Sequence, residues 1–410
     1  MDVNMSAVEL ERLENEQVIQ NVGGIILVSF LMCVGFGGNS VAIFVYLRRF
    51  KPSTYRTFIV SLAIVDLLTC CVAMPFSLVI LIYPITFHDN LGCKLFRFVS
   101  YVMNIGSSII LLTIAAERYR KICVPLGRQM SNRMSKFICV LDIMLGVLLS
   151  WPVAVMYGSK TFKTNNGRIV GTECSVNNYY ADTKYPAYFN IFLIFIFVAA
   201  LLILSIVYIL IGKEIFLTKK RTSKTNQTLV LKSDPLSRSQ TDEVSCSQPY
   251  QKDDKSRRGL VENISDYKSE NLEISLGENG QGTNSTESKS KCCELNEENK
   301  TTKDCTKKQK RNLVITRVLF IITVVFVCSY VPHLALLTAA FLNKNLLSNL
   351  SFAGTVTYQI FRWTFFINNV ANPIIYGFYD SKFVREVRIL RRSFLAHILK
   401  YNLRRNGNAS

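Results

Sequence analysis

Asn372-Pro373-Ile374-Ile375-Tyr376 lies within an apolar stretch near the C-terminal end of the chain. A second polar group, Glu117-Arg118-Tyr119, closes another apolar stretch far upstream. Ionised and helix-breaking residues are costly where no water can satisfy them, so within membrane helices they are kept mostly for function. Around these clusters seven apolar segments can be drawn, at residues 23–47, 57–83, 93–123, 136–157, 187–212, 312–342 and 352–378. Each is long enough to cross a hydrocarbon core of about 30 Å. The sequence therefore predicts an all-α membrane protein, a seven-transmembrane helix bundle.

Composition agrees. Of 410 residues, 49% are apolar, and repeated apolar runs of this length do not occur in soluble domains. The net charge of +19 is unevenly placed. Residues 1–22 carry Asp2, Glu9, Glu11, Glu14 and Glu16 against Arg12 alone, whereas Arg48, Arg49, Lys51 and Arg56 follow the first span. Arg118, Arg120, Lys121, Arg128, Arg133 and Lys136 follow the third, and Lys382, Arg385, Arg388, Arg391 and Arg392 the seventh. Lys and Arg gather on the cytoplasmic side, so the N-terminus is expected outside and the C-terminus inside. Because the charges flank spans, they argue for anionic lipid and against nucleic acid as partner.

The expected organisation is an extracellular tail over 1–22, spans one to five over 23–212, and a third cytoplasmic loop over 213–311. Spans six and seven follow over 312–378, then an amphipathic inner-face helix and cytoplasmic tail over 379–410. The tail lacks an apolar signal core, so the first span is expected to act as the insertion signal. Asn4-Met5-Ser6 and Asn349-Leu350-Ser351 are glycosylation sequons on the outer side. The inner loop is rich in Ser, Thr, Asn, Glu and Lys and is expected to be disordered. Its basic ends, around Lys219 and Lys308, either anchor to headgroups or continue the flanking helices inward. After Tyr376, Asp380 or Ser381 can cap a helix with Phe383, Val387 and Leu390 turned toward lipid.

Of twelve cysteines, only Cys93 and Cys174 face the oxidising outer side, which points to a disulfide between them. Cys246, Cys292, Cys293 and Cys305 lack metal-site spacing.

These features together resemble the rhodopsin-like (class A) G-protein-coupled receptors, of the peptide-receptor type. Gly38-Asn39-Ser40-Val41 is similar to that family's GNxxV signature and Leu62-Ala63-Ile64-Val65-Asp66 to its LAxxD motif. Cys93 lies 25 residues before Arg118, Trp151 matches the span-four tryptophan, and Asn372 to Tyr376 match NPxxY. Phe383 sits where the inner helix's phenylalanine is expected. The resemblance covers the chain apart from its N-terminal tail, long inner loop and far C-terminus.

The resemblance implies roles. Arg118 pairs with Glu117 at rest and turns toward Tyr208 and Tyr376 on activation, supporting a bound heterotrimeric G protein. The family's acidic partner at the base of span six is absent, since that position is Asn312, so basal activity is expected. Asp66, a carboxylate deep in span two, must be paired, protonated or bound to an ion. The family's arrangement implies a sodium ion held by Asp66, Ser107, Asn368 and Asn372. The alternative is a protonated Asp66 hydrogen-bonded to Asn39 and Asn372. Receptor kinase and arrestin are family-level partners, and no enzymatic cofactor is implied.

Three positions depart from the pattern. Phe326-Val327-Cys328-Ser329-Tyr330-Val331-Pro332 resembles FxxCWxP with Tyr330 in place of tryptophan. Ala200 stands where span five usually has proline, and Ser108 where span three has a bulky aliphatic. Pro332 is still expected to kink span six.

The aminergic aspartate of span three is replaced by Ser100, and the opsin lysine of span seven by Phe366. What remains is cationic and aromatic: Arg97, Tyr101, Asn104, His333, Tyr358, Phe361 and Arg362. Two arginines favour an anionic group on the ligand. Alternatively they pair with Glu173 or Asp182, or snorkel to headgroups. An extracellular peptide leads as ligand, with a small carboxylate, lipid or nucleotide second. A transporter or channel would show internal repeats or spread ion-lining charges, and an enzyme a convergent catalytic set. The three histidines, His88, His333 and His397, are scattered.

Overall fold

Ser53, Asp89, Ser131, Ser351 and Asp380 each begin a helix by accepting a hydrogen bond from a backbone N–H two or three residues on. These short polar side chains satisfy amides that the first turn leaves open, which sets the helix starts along the chain. The computed structural model describes residues 2–163, 170–231, 286–343, 346 and 350–407. Its helices are α1 (Asp2–Arg49), α2 (Thr54–Leu68), α3 (Met74–Ile82), α4 (Asn90–Cys123) and α5 (Asn132–Met156). A hairpin of β1 (Tyr157–Lys163) and β2 (Val170–Val176) and the short α6 (Asn178–Ala181) lead to α7 (Tyr185–Leu231). Then come α8 (Thr286–Leu342), α9 (Phe352–Arg362), α10 (Ile367–Tyr379) and α11 (Ser381–Gly407).

Among the described residues, six helical stretches are long and apolar enough to span a membrane: Val8–Arg49, Thr54–Ile82, Asn90–Cys123, Asn132–Met156, Tyr185–Thr218 and Leu313–Ala340. In the second, a π-helical turn at Thr69–Ala73 joins α2 to α3 just before Pro75, whose missing N–H disturbs the regular ladder. The seventh segment is helical in three pieces, because a 3₁₀ turn at Thr364–Phe366 separates α9 from α10.

The core is apolar at its inner half. Tyr46, Phe58, Ile110, Ile114, Phe326 and Tyr376 belong to one buried cluster. Close helix crossing needs small residues where lipid offers no hydrophobic drive to pack. Gly146 of α5 supplies one: a Cβ there would come within 3.1 Å of the α4 backbone at Val102 and Gly106. On the outside, Phe30, Leu148 and Phe195 are well exposed, as residues facing hydrocarbon must be.

Antiparallel pairing sets Tyr157 opposite Val176 and Ser159 opposite Cys174. The Cys93–Cys174 disulfide fastens β2 to the start of α4, in agreement with the sequence. Thr172 ties the same strand to the segment after α3, accepting from Phe87 N at 2.8 Å and donating to Ile85 O at 2.7 Å.

Two stretches are helical beyond the expected spans, the second in line with the inward continuation of the flanking helices, and one apolar face is covered differently from expectation. α1 runs through the predicted outer tail, where Glu14 accepts a hydrogen bond from Thr86 and buried Asn21 bonds Leu81 O at 3.0 Å. Polar contacts across helices carry α1 past the apolar run. The ends of the predicted inner loop are helical, since α7 reaches Leu231 and α8 begins at Thr286; residues 232–285 lie outside the described residues. Lys220–Lys307 form a separate compact unit. Of the sequons, Asn349 and the side chain of Asn4 also lie outside the described residues.

The third difference is at α11. Phe383 is only 5% exposed and stacks on Tyr46 at 5.5 Å, with Val387 and Leu390 packed on the same cluster. These residues face the bundle, not lipid, because Tyr46 and Tyr376 offer a ready aromatic slot. Asp380 is the cap, its Oδ1 accepting from Lys382 N and Phe383 N at 3.1 Å each.

Candidate functional site

A cavity of about 280 Å³ lies among α4, α7, α8 and the segment from Arg362 to Phe366. Arg97, Ser100, Tyr101, Asn104, His333 and Arg362 all line it, so six of the eight ligand candidates come together. Tyr358 and Phe361 do not line it. Val356 and Ile360 press on Gly23 of α1, where a Cβ would lie within 2.9 Å of either side chain. That contact fixes the rotation of α9. Phe361, a little over a quarter of a turn beyond Ile360, points outward and is 45% exposed, while Tyr358 is buried a turn further out than Arg362.

Trp363, Phe365 and Phe366 line the cavity; of these the sequence marked only Phe366, as the residue at the opsin-lysine position. Counting along an unbroken helix puts only some of them inward; the 3₁₀ turn brings neighbours in succession to one side. Tyr157, from β1, was also missed, and its hydroxyl meets that of Tyr101 at 3.2 Å.

Neither arginine has a carboxylate within ion-pair distance among the described residues. Glu173, the first suggested partner, pairs with Lys160 at 3.6 Å. Arg97 reaches Cys174 O at 3.4 Å and lies 5.7 Å from the Tyr157 ring, while its Nε is buried with no hydrogen bond among the described residues. Arg362 sits 5.7 Å from the Trp363 ring. Its backbone oxygen, 2.6 Å from Nδ1, orients the His333 ring.

The neutral polar groups are used internally. Ser100 donates to Phe96 O at 2.7 Å, Ser108 to Asn104 O at 2.8 Å, and Asn104 Nδ2 to Ser100 O at 2.8 Å. Tyr330 donates to Asn104 Oδ1 at 3.0 Å and packs on Phe326 at 4.7 Å and Phe197 at 5.8 Å. An indole at this position would present its N–H elsewhere; the phenol spans the gap from α8 to α4.

Beneath lies Asp66, wholly buried. Asn372 Nδ2 donates to one carboxylate oxygen at 2.7 Å and Asn369 Nδ2 to the other at 2.8 Å. Asn372 was foreseen; Asn369 was not. Asn39, offered as a partner of Asp66, instead donates to Asn369 O at 2.9 Å. Ser107 Oγ and both amide atoms of Asn368 are buried without a hydrogen-bond partner among the described residues. So are the Oδ1 atoms of Asn369 and Asn372. A carboxylate among unused hydroxyl and amide oxygens has the chemistry of a hard-cation site.

At the inner end, Arg118 is 2% exposed and pairs with Glu117. Glu117 Oε1 also accepts from Thr54 at 2.9 Å and Lys121 at 3.2 Å, tying α4 to the start of α2. Tyr208 faces α8, sharing a 2.9 Å hydrogen bond with Thr323 and donating to Leu319 O at 3.2 Å. Tyr376 is fully buried, its hydroxyl unpartnered among the described residues, and Tyr119 is half-buried. Arg118 therefore lies with Glu117, with Tyr208 bonded elsewhere. The side chain of Asn312 lies outside the described residues. Pro332 and Pro373 each sit inside a helix.

Comparison with known proteins adds an independent line. The family model described as 7 transmembrane receptor (rhodopsin family) matches residues 38–376. The neuropeptide S receptor of Mus musculus is 24% identical over 200 residues, covering 49% of this chain and 51% of that one. The neurotensin receptor type 1 of Homo sapiens is 27% identical over 207 residues, covering 48% and 49%. Melanopsin-A of Danio rerio is 25% identical over 206 residues, covering 50% and 34%. The chain thus matches about half the length, or less, of these relatives.

Proposed function

Since the chain belongs to the rhodopsin family of seven-transmembrane receptors, we propose that it is a plasma-membrane receptor for an extracellular peptide and activates heterotrimeric G proteins. The observation that carries the ligand side is the pair Arg97 and Arg362. Both guanidiniums stand on one cavity with no carboxylate of the described residues to neutralise them. A peptide carrying an anionic group supplies the missing charge, and guanidinium–carboxylate pairing in a partly dry site is strong. Relatives named for neuropeptide S and neurotensin favour a peptide over other anions.

The signalling side rests on the inner end. Ligand contact at Tyr330 pulls on the bond to Asn104; α8 swings outward below Pro332; Tyr208 leaves Thr323; and Arg118 exchanges Glu117 for Tyr208 and Tyr376. In the resting arrangement the oxygens of Asp66, Ser107, Asn368, Asn369 and Asn372 would hold a sodium ion, which neutralises the buried carboxylate. Receptor kinase and arrestin act on the inner surface once it is exposed, and the N-terminus lies outside.

The test is a second-messenger assay, reading calcium and cyclic AMP in cells that express the chain and receive pooled neuropeptides. A response abolished by Arg118→Ala and by Arg362→Ala, at unchanged surface expression, supports the reading. A response that survives Arg362→Ala removes the cationic cavity from ligand recognition.

A further inference from the structure

The cavity reaches far deeper than its arginines. Arg97 and Leu112, both lining it, are 15 residues apart on α4, which corresponds to about 22 Å along the helix. Its inner half lies below the Tyr330–Asn104 bond and is bounded by Ile109, Leu112, Ala200, Leu204 and Phe326. The same two small residues that break the sequence pattern account for the space. Ser108 lacks the bulk of an aliphatic side chain, and Ala200 contributes a single methyl group where a larger ring is usual.

The distribution of unmet demand along the cavity is polar at one end only. Ser100, Asn104, Ser108, Tyr330 and His333 already have partners inside the protein. Among the described residues, Arg97 retains a buried Nε without a hydrogen bond, and Arg362 has an aromatic neighbour and no carboxylate within ion-pair distance. Among the described residues, no Lys, Arg, Asp or Glu other than these two arginines lines the cavity. A ligand that matches it carries one anionic group at the outer end and a long body with no hydrogen-bonding group behind it. A polar body would leave its own donors and acceptors unpaired in the apolar inner half.

We propose that this cavity binds a single-chain carboxylate amphiphile, with the carboxylate on Arg97 and Arg362 and the unbranched chain passing Tyr330 to end at Leu112 and Leu204. This rests on the reading of the cavity as a ligand site and adds a second ligand class to the peptide. The chain would displace the empty volume beneath Tyr330 and strain its bond to Asn104.

The experiment uses the full chain in nanodiscs of zwitterionic lipid, with radiolabelled dodecanoate as probe and hexanoate, decanoate, dodecanol and dodecylamine as competitors. Saturable dodecanoate binding is expected, with displacement strengthening about fourfold per added methylene between hexanoate and decanoate. Dodecanol and dodecylamine should compete at least tenfold less well, and Arg97→Gln should weaken every carboxylate. Ala200→Phe, which shortens the slot, should cost dodecanoate tenfold or more while leaving hexanoate unchanged. A misfolded variant would lose both, so the split identifies the slot. Ser108→Leu gives the same split from the opposite wall. Dodecanol competing as well as dodecanoate, binding without saturation, or equal losses of short and long chains in both slot variants would overturn the proposal. Those results alongside an intact, Arg362-dependent peptide response would leave the peptide reading standing; an Arg362-independent peptide response with the chain-length split intact would do the reverse.

Discussion

Tyr330 of α8 and Asn104 of α4 are joined by a 3.0 Å hydrogen bond that crosses the middle of the cavity. It stands in the aromatic group formed with Phe326, Phe197 and Phe365, so the phenol is held in position by packing as well as by the bond. A bond between α8 and α4 favours the arrangement in which both ends are in place. Its net worth is about 1 kcal/mol, which corresponds to roughly a fivefold change in the balance between two states.

Tyr330→Phe removes only the hydroxyl. Basal second-messenger output should rise several-fold at matched surface expression, and Asn104→Ala should raise it by a similar factor. The double variant should gain little beyond either single change, since each removes the same bond. Additive effects, or none, would show that the bond does not hold the resting state.

The Arg118–Glu117 pair is a different kind of restraint. Both side chains are nearly inaccessible, at 2% and 5% exposure, and Glu117 is further held by Thr54. Glu117→Gln leaves a buried guanidinium without its countercharge, which costs about 3 kcal/mol or more. We expect a lower unfolding temperature of the purified receptor together with raised basal output. Thr54→Ala should lower the temperature by less, as the loss of one hydrogen bond worth about 1 kcal/mol. A Glu117→Gln receptor as stable and as quiet as the parent would remove the pair from the resting state.

Much of the site was legible in sequence because membrane burial makes polar residues conspicuous. Asp66, the Glu117-Arg118 pair and Asn372 interrupt apolar stretches, and all are buried and bonded or ion-paired. Asn369 was not legible: it is adjacent to Asn368, and nothing in a pair of neighbouring asparagines says which one faces span two. Trp363 and Phe365 were hidden by the end of α9 and the 3₁₀ turn that follows it, where the chain departs from the periodicity used to count faces. Phe383 was assigned to lipid because periodicity defines an apolar face without saying what covers it; Tyr46 does. The outer extension of α1 depends on Asn21 meeting Leu81 O and Gln359, contacts between segments far apart in the chain.

The oxygens around Asp66 give a prediction about ions. Thermal stability of the ligand-free receptor should rise when sodium chloride replaces choline chloride at constant ionic strength. At ten times the dissociation constant the gain is about 1.4 kcal/mol. Potassium should be less effective, and Asp66→Asn should abolish the difference between salts. Ser107→Ala should reduce it. Equal stability in sodium and choline would mean that Asp66 is satisfied by Asn369 and Asn372 alone.

Asp380 holds three elements with one carboxylate. Its Oδ1 caps α11, and its Oδ2 accepts from Tyr46 of α1 at 2.9 Å and Tyr55 of α2 at 3.3 Å. The ring of Tyr55 in turn lies 5.9 Å from the Arg118 guanidinium. Asp380→Asn keeps an acceptor for the cap, whereas Asp380→Ala removes the cap and both tyrosine bonds. Each lost contact is worth about 1 kcal/mol, so the alanine variant should expose the backbone amides of residues 381–390 to faster hydrogen exchange by a factor of ten or more. Tyr46→Phe keeps the stack on Phe383 and deletes one hydroxyl, and should accelerate exchange by only a few-fold. Exchange in α5, to which neither Asp380 nor Tyr46 is hydrogen-bonded, serves as the reference for general loosening. If Asp380→Ala and Tyr46→Phe accelerate α11 and α5 alike, the carboxylate is not what fastens α11 to the bundle; if α11 alone responds, in that order, the three helices share a single polar anchor at this end of the bundle.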